Sequence, residues 1–211
     1  MGESGERVMK ATTLQQVEEY LQRGRLEQAA RVLRRAVQSG DAPLECYLCL
    51  AEVCRLQENW DGAIDAIRAA LQRRPDAILV RERLIELLIE SGCLAEAVAE
   101  CERWLQEAPD HPIPLEHLLD AHWHAMDYAR ALQAANQLVR LQPYAAHYRL
   151  RRARLLDNLG RHAEAISDYE WLAFETGVPA EIMIWASLEL ERLDQLQMHL
   201  MVHLLMDDVL F

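Results

Sequence analysis

A self-similarity of fixed period constrains this chain more than any other feature. Displacing the sequence by 34 residues reproduces one pattern without insertion through 10–43, 44–77, 78–111, 112–145 and 146–179. A period of this size belongs to chains built as stacked supersecondary units, each with an apolar face that only a neighbour can cover. In the copy Leu44–Ala77, apolar residues fall at helical spacing in two runs: Tyr47, Leu48, Leu50, Ala51 and Cys54, then Ala63, Ile64, Ile67, Ala70 and Leu71. Glu58-Asn59-Trp60 separates the runs, and Asn59 is expected to cap the second by accepting an orphan backbone N–H. Arg74-Pro75 ends it, because proline disfavours helix in the residue before it and donates no hydrogen bond itself. The unit is a two-helix hairpin whose helices are too short to be stable alone in water.

The other copies keep the same register. Alanine opens the second helix each time, at Ala29, Ala63, Ala97, Ala131 and Ala165, and a small residue there lets two helices approach closely. One turn further on the same face come Leu33, Ile67, Cys101, Ala135 and Tyr169. Gly24, Gly92 and Gly160 mark the hairpin turn in three copies, and Asp41, Pro75, Pro109, Pro143 and Gly177 mark the junctions between copies. Pro112 and Pro114 suit a linker and a first helical turn, and Thr12 or Thr13 is placed to cap the first helix.

These residues at these offsets resemble the tetratricopeptide repeat family over Lys10–Pro179. The resemblance implies an all-α, right-handed superhelical solenoid of antiparallel helix pairs. Five repeats at 10–179 would lie between a flexible N-terminus at 1–9 and one or two capping helices at 180–211. The family pattern is a packing code, so it implies a non-catalytic protein-interaction scaffold without naming a partner. Arg81 and Arg149 depart from it, standing where the family prefers Trp or a similar large residue.

Charge narrows the classes of partner. The formal net charge of −12 opposes nucleic acid and anionic membrane, both of which call for a positive footprint. Met1–Arg7 lacks the apolar core of a signal peptide, and no segment reaches the roughly 18 apolar residues of a membrane span. An odd number of cysteines, five, at helical positions fits a reducing compartment, so the expected location is cytoplasmic. Cys46 and Cys49 form a lone C-x-x-C inside a regular helix with no second ligand pair, and are expected to pack as small hydrophobes. No glycine-rich phosphate loop, nucleophile elbow or paired-carboxylate arrangement is present, so no enzyme and no cofactor are expected.

In the family, the first helix of each repeat lines a concave groove. The resemblance carries that role onto Glu18, onto Leu48, Glu52 and Arg55, and onto Glu82, Arg83 and Glu86. In the last two repeats it falls on Glu116, Asp120 and Trp123, then on Arg151 and Arg154. A carboxylate recurs at the ninth repeat position, at Glu18, Glu52, Glu86 and Asp120, where like charges in a line require something opposite nearby. The expected partner is a peptide or helix with basic side chains and an apolar anchor near Leu48 or Trp123. The chaperone-binding subclass grips an acidic C-terminus with Lys, Asn and Arg, whereas Leu14, Glu18, Cys49 and Glu52 stand here, with Arg83 alone resembling a clamp residue.

Two other features carry weaker signals. His117, Asp120 and His124 share one helical face and could offer metal ligands, with His147 from the next repeat; His199 and His203 form a second pair. The tail beyond Pro179 holds more apolar residues than one docked face can use. A second helix folded back on the fifth repeat would cover some of them. Alternatively Leu196, Leu200, Leu204, Leu205 and Phe211 form a self-association surface that makes a homodimer.

Overall fold

A computed structural model describes the backbone of residues 3–40 and 42–207 and the side chains of 13–40 and 42–199. Asp41, Phe211 and the side chains of Leu200, His203, Leu204 and Leu205 lie outside the described residues. Eleven helices and no strand occur among the described residues: α1 (Glu3–Gln22), α2 (Leu26–Gln38), α3 (Leu44–Leu56), α4 (Trp60–Arg73), α5 (Ile78–Glu90), α6 (Leu94–Glu107), α7 (Pro112–His124), α8 (Tyr128–Leu141), α9 (Ala146–Asn158), α10 (His162–Phe174) and α11 (Ala180–Asp207). They fall into two compact units, Met1–Glu100 and Cys101–Phe211.

In the first unit, successive helices from α1 to α5 pack on one another in chain order. Ala29, Ala63 and Ala97 are fully buried, as are Leu33 and Ile67 one turn later, so the repeated small residue sits at closely packed positions. Gly24 and Gly92 occupy the hairpin turn with φ of 67° and 81°. Glu58 holds the same left-handed position in the second hairpin, at φ 57°, where a Cβ is unfavourable. Asn59 caps α4 as expected, its side-chain oxygen accepting from Gly62 N at 3.1 Å.

The second unit repeats this plan through α7–α11, with α11 also touching α9. Its core joins the buried Leu115, Leu119, Ala131, Leu138, Leu155 and Leu172. Met126 stands at the left-handed turn position, φ 57°, and Asp127 caps α8 by accepting from Arg130 N at 3.1 Å. Arg149, at one of the positions where the family prefers Trp or a similar large residue, lays its guanidinium 4.2 Å over the Trp171 ring and donates to the buried Asp168 at 3.3 Å and to Pro143 O at 2.9 Å. Arg152 donates to the other Asp168 oxygen at 2.7 Å. A planar cation held against an indole and a buried carboxylate thus fills this place.

Two boundaries differ from expectation. Helix α1 begins at Glu3, so Thr12 and Thr13 lie within it and neither is its cap. The Glu, Arg, Met and Lys side chains of 3–10 are good helix formers. The tail is one uninterrupted helix, not a helix followed by a second folded back near Arg192. No glycine or proline interrupts Ala180–Asp207 to break it. Ala186 and Leu193 are buried, but every described side chain from Asp194 to His199 is exposed, including Met198 at 67%.

Candidate functional site

The first unit brings Glu52, Arg55, Arg83 and Glu86 into one half-buried network along α3 and α5. Arg55 grips Glu52 through two bonds, 3.0 Å from Nε and 2.6 Å from Nη2, and reaches Glu90 at 3.6 Å. Arg83 bonds Glu86 at 2.8 Å and also donates to Glu52 on the first helix of the preceding repeat. The run Glu86, Arg83, Glu52, Arg55, Glu90 therefore alternates in sign and starts and ends on a carboxylate. Hydrogen bonding from Arg55 draws the Glu52 carboxyl below its ordinary pKa, and the Arg55 guanidinium is raised in return. Burial opposes the charged form of Arg83, but its bonds to Glu86 and Glu52 outweigh burial and raise its pKa.

The line of like charges read from the sequence is thus compensated from within at Glu52, where a separation of 31 residues brings Arg83 onto it. The same offset brings Arg151 onto Asp120 in the second unit. Glu18 has no such cation at that offset, which falls on Cys49, and its nearest bond is the amide of Gln22 at 3.5 Å. Leu48 and Glu82 are half-buried beside the network's helices.

In the second unit the residues separate into two places. Tyr148 donates to Glu116, and burial followed by this bond raises the tyrosine pKa. Trp123 and Arg154 line a cavity of about 360 Å³ with Asp157, Asn158, Tyr169, Trp185 and Glu189. The Arg154 guanidinium stands 4.3 Å over the Trp185 ring, Tyr169 meets that ring edge-on at 5.6 Å, and Trp123 packs against Tyr128 at 5.3 Å. Arg192 reaches both Asp157 and Glu189, and His162 Nδ1 lies 2.9 Å from Asp157. Trp185 and Glu189 were not singled out in the sequence because the repeat register ends before α11. Their i, i+4 placement on the helix that closes the array was the available signal.

The metal trio does not assemble: among the described residues His117, Asp120 and His124 do not converge within ligand distance, and the Asp120 carboxylate already holds Arg151. Cys46 and Cys54 are buried and Cys49 half-buried, and burial pushes all three thiols up in pKa, away from the reactive thiolate. Among the described residues no helix is long and apolar enough to cross a membrane.

Sequence profiles of the tetratricopeptide repeat match residues 14–78 and 118–173, and a second such profile matches 55–119. The chain belongs to the tetratricopeptide repeat family. No curated protein matches it. Among solved structures, a MamA double mutant (RS-1 ArsTM) superposes with a TM-score of 0.61 at 17% identity, over 87% of this chain and 94% of that one. MamA 41-end from Desulfovibrio magneticus RS-1 gives 0.60 at 17%, over 87% and 95%. MamA AMB-1 gives 0.57 at 16%, over 84% and 98%. At these identities the likeness concerns the tetratricopeptide fold alone.

Proposed function

We propose that this tetratricopeptide protein is a non-catalytic, cytoplasmic interaction scaffold whose first unit takes a peptide or partner helix carrying basic and apolar side chains. The observation that carries this reading is the alternating network of α3 and α5. Its three carboxylates face two guanidiniums, so a negative charge is left over in a half-buried setting where it is less screened than on open surface. Glu18 adds a carboxylate with no cation paired to it among the described residues, and Leu48 supplies the apolar contact. A partner Lys or Arg would insert at either end of the network without breaking the internal bonds.

Selection of a displayed peptide library on the full chain tests it. Lys or Arg beside an apolar residue should be enriched, affinity should fall about ten-fold between 50 and 500 mM salt, and Glu18→Lys with Glu86→Lys should abolish capture. Selected peptides that ignore salt and bind the double variant equally would overturn it.

A second reading is self-association. The exposure of Leu196 and Met198 on a helix that continues to Asp207 favours it, because the helix runs on with no covering partner among the described residues. In sequence, Leu200 and Leu204 follow Leu196 at i+4 and i+8, the spacing of one helical face. Truncation after Arg192 followed by light scattering separates the two readings: a dimer that becomes a monomer supports pairing through α11, and an unchanged mass removes it.

A further inference from the structure

The first helices of the repeats start at a constant interval. Helices α3, α5, α7 and α9 begin at Leu44, Ile78, Pro112 and Ala146, and α11 begins at Ala180, again 34 residues on. The recurrent alanines stop with the fifth repeat, but α11 packs on α10 as α9 packs on α8, and so takes the place of a sixth first helix. In each complete repeat a turn of positive φ follows, at Gly24, Glu58, Gly92, Met126 and Gly160. The next member of that series is Asp194, and there α11 continues as helix to Asp207. Among the described residues, therefore, no second helix folds back on α11. Burial records the consequence. Ala51, Ile85, Leu119 and Ala153, at one position of the first helices, are 1% exposed or less, whereas Ser187 at the corresponding place is exposed. Cys54, Leu88 and Leu156 are buried where Leu190 is half-buried, and Tyr47 and Leu115 where Met183 is half-buried. Met183, Ser187, Leu190 and Asp194 follow one another at spacings of four, three and four, so they share one helical face. Ala186 and Leu193, turned toward the array, are fully buried.

We infer that the open face of α11 takes a basic amphipathic helix of a partner protein in the place of a second helix. The complete repeats show what fits there: a helix of 13 or 14 residues, as α10 and α8 are, antiparallel to the first. It opens with Ala and carries an apolar side chain such as Leu33, Ile67 or Tyr169 one turn on. Ser187 is small enough for the close approach that Ala51 and Ala153 allow in their repeats. Second helices start two residues after the turn position, so an antiparallel partner sets its N-terminal turn beside Asp194. Charge then selects the occupant. Four acids and a single arginine lie between Ala180 and His199, and Arg192 is already shared by Glu189 and Asp157. Glu191 and Asp194 are exposed, and no cation pairs with either among the described residues. The positive end of a helix dipole, with Lys or Arg in its first turns, complements them. A second copy of α11 supplies no such cation. The site rests on the reading of the protein as an interaction scaffold, but it uses neither the network of the first unit nor the cavity at Arg154.

The test titrates the full chain with an acetylated, amidated peptide of helical design, carrying Lys in its first turn, Ala at the place of Ala165 and Leu one turn on. A second peptide has Glu for each Lys. Binding is followed by NMR at the backbone amides of Met183 and Leu190, which report on this face alone. Both should shift saturably, the Lys peptide should bind at least about five-fold more tightly than the Glu peptide, and Glu191→Lys with Asp194→Lys should reverse that order. Ser187→Trp should weaken the Lys peptide at least about ten-fold, and because Ser187 is exposed an unchanged thermal midpoint verifies the fold of that variant. A nitroxide on the N-terminus of the Lys peptide should broaden the amide of Asp194 and spare that of Met183. Equal affinity for the two peptides, undiminished binding to Ser187→Trp, or broadening at Met183 instead overturns the site. A free chain that is dimeric by light scattering and monomeric as Ser187→Trp makes a second copy the occupant and overturns the partner helix. Glu18→Lys with Glu86→Lys should leave the shifts at Met183 and Leu190 and their midpoint unchanged, and their loss overturns the site. Persistence of those shifts when library peptides fail to bind the first unit supports this site and sinks only the first-unit reading.

Discussion

At the left-handed turn, two side chains occupy a conformation that three of their counterparts leave to glycine. Glu58 and Met126 sit at φ 57° in the place held elsewhere by Gly24, Gly92 and Gly160. Glu58→Gly and Met126→Gly are each expected to stabilise the fold by roughly 0.5–1 kcal/mol, read as a higher urea midpoint at unchanged slope. Gly92→Ala should cost about 1 kcal/mol. Asp168 carries the opposite risk: it is 2% exposed and holds both Arg149 and Arg152. Asp168→Ala strands two half-buried guanidiniums and should cost roughly 3 kcal/mol, measured by denaturant unfolding. Glu52 supplies a pH signature. Its folded pKa is depressed by Arg55, so its contribution is complete above the unfolded value near about 4.3. It is lost only as pH falls below that value toward the folded one, where the unfolded chain binds the proton first. Glu52→Gln should flatten the stability profile in that acid window and leave the slope between pH 5 and 7 unchanged.

Helix packing sets the next level. Enlarging Ala63, which has no exposed surface, to Leu forces α3 and α4 apart and should cost roughly 1–3 kcal/mol, checked by thermal unfolding. The helix contacts were legible in the sequence because Ala29, Ala63, Ala97, Ala131 and Ala165 repeat a packing requirement at a constant interval. The charge pairing was not. Glu52 and Asp120 looked like a bare acidic line because position within one repeat says nothing of what the next repeat presents. The decisive residues, Arg83 and Arg151, stand 31 places away and need the stacking of successive repeats to meet them. The cavity at Arg154 was half legible: Trp123 and Arg154 follow from the family register, while Trp185 lies on α11, outside any repeat. The single-helix tail could have been read from the lack of any Gly or Pro between Ala180 and Asp207. Its surplus of apolar residues pointed to a fold-back because a second helix on the fifth repeat would cover some of them.

For the molecule as a whole, charge and connectivity set the behaviour. A formal net charge of −12 makes the folded chain self-repelling, and surface ion pairs such as Arg68–Glu96 at 2.6 Å are individually worth little. Raising salt from 50 to 500 mM at pH 8 should therefore raise the melting temperature, because screening the repulsion outweighs weakening the pairs. A fall in melting temperature would show that the buried Arg–Asp168 pairs and the α3–α5 network dominate. The chain-order packing of the helices has a kinetic consequence. When most native contacts lie between neighbours in sequence, little loop entropy is lost before a contact forms, and folding is expected on the millisecond scale or faster. Within each unit, a hairpin can close on the one already made, so a growing chain can consolidate that unit in the order in which a ribosome releases it.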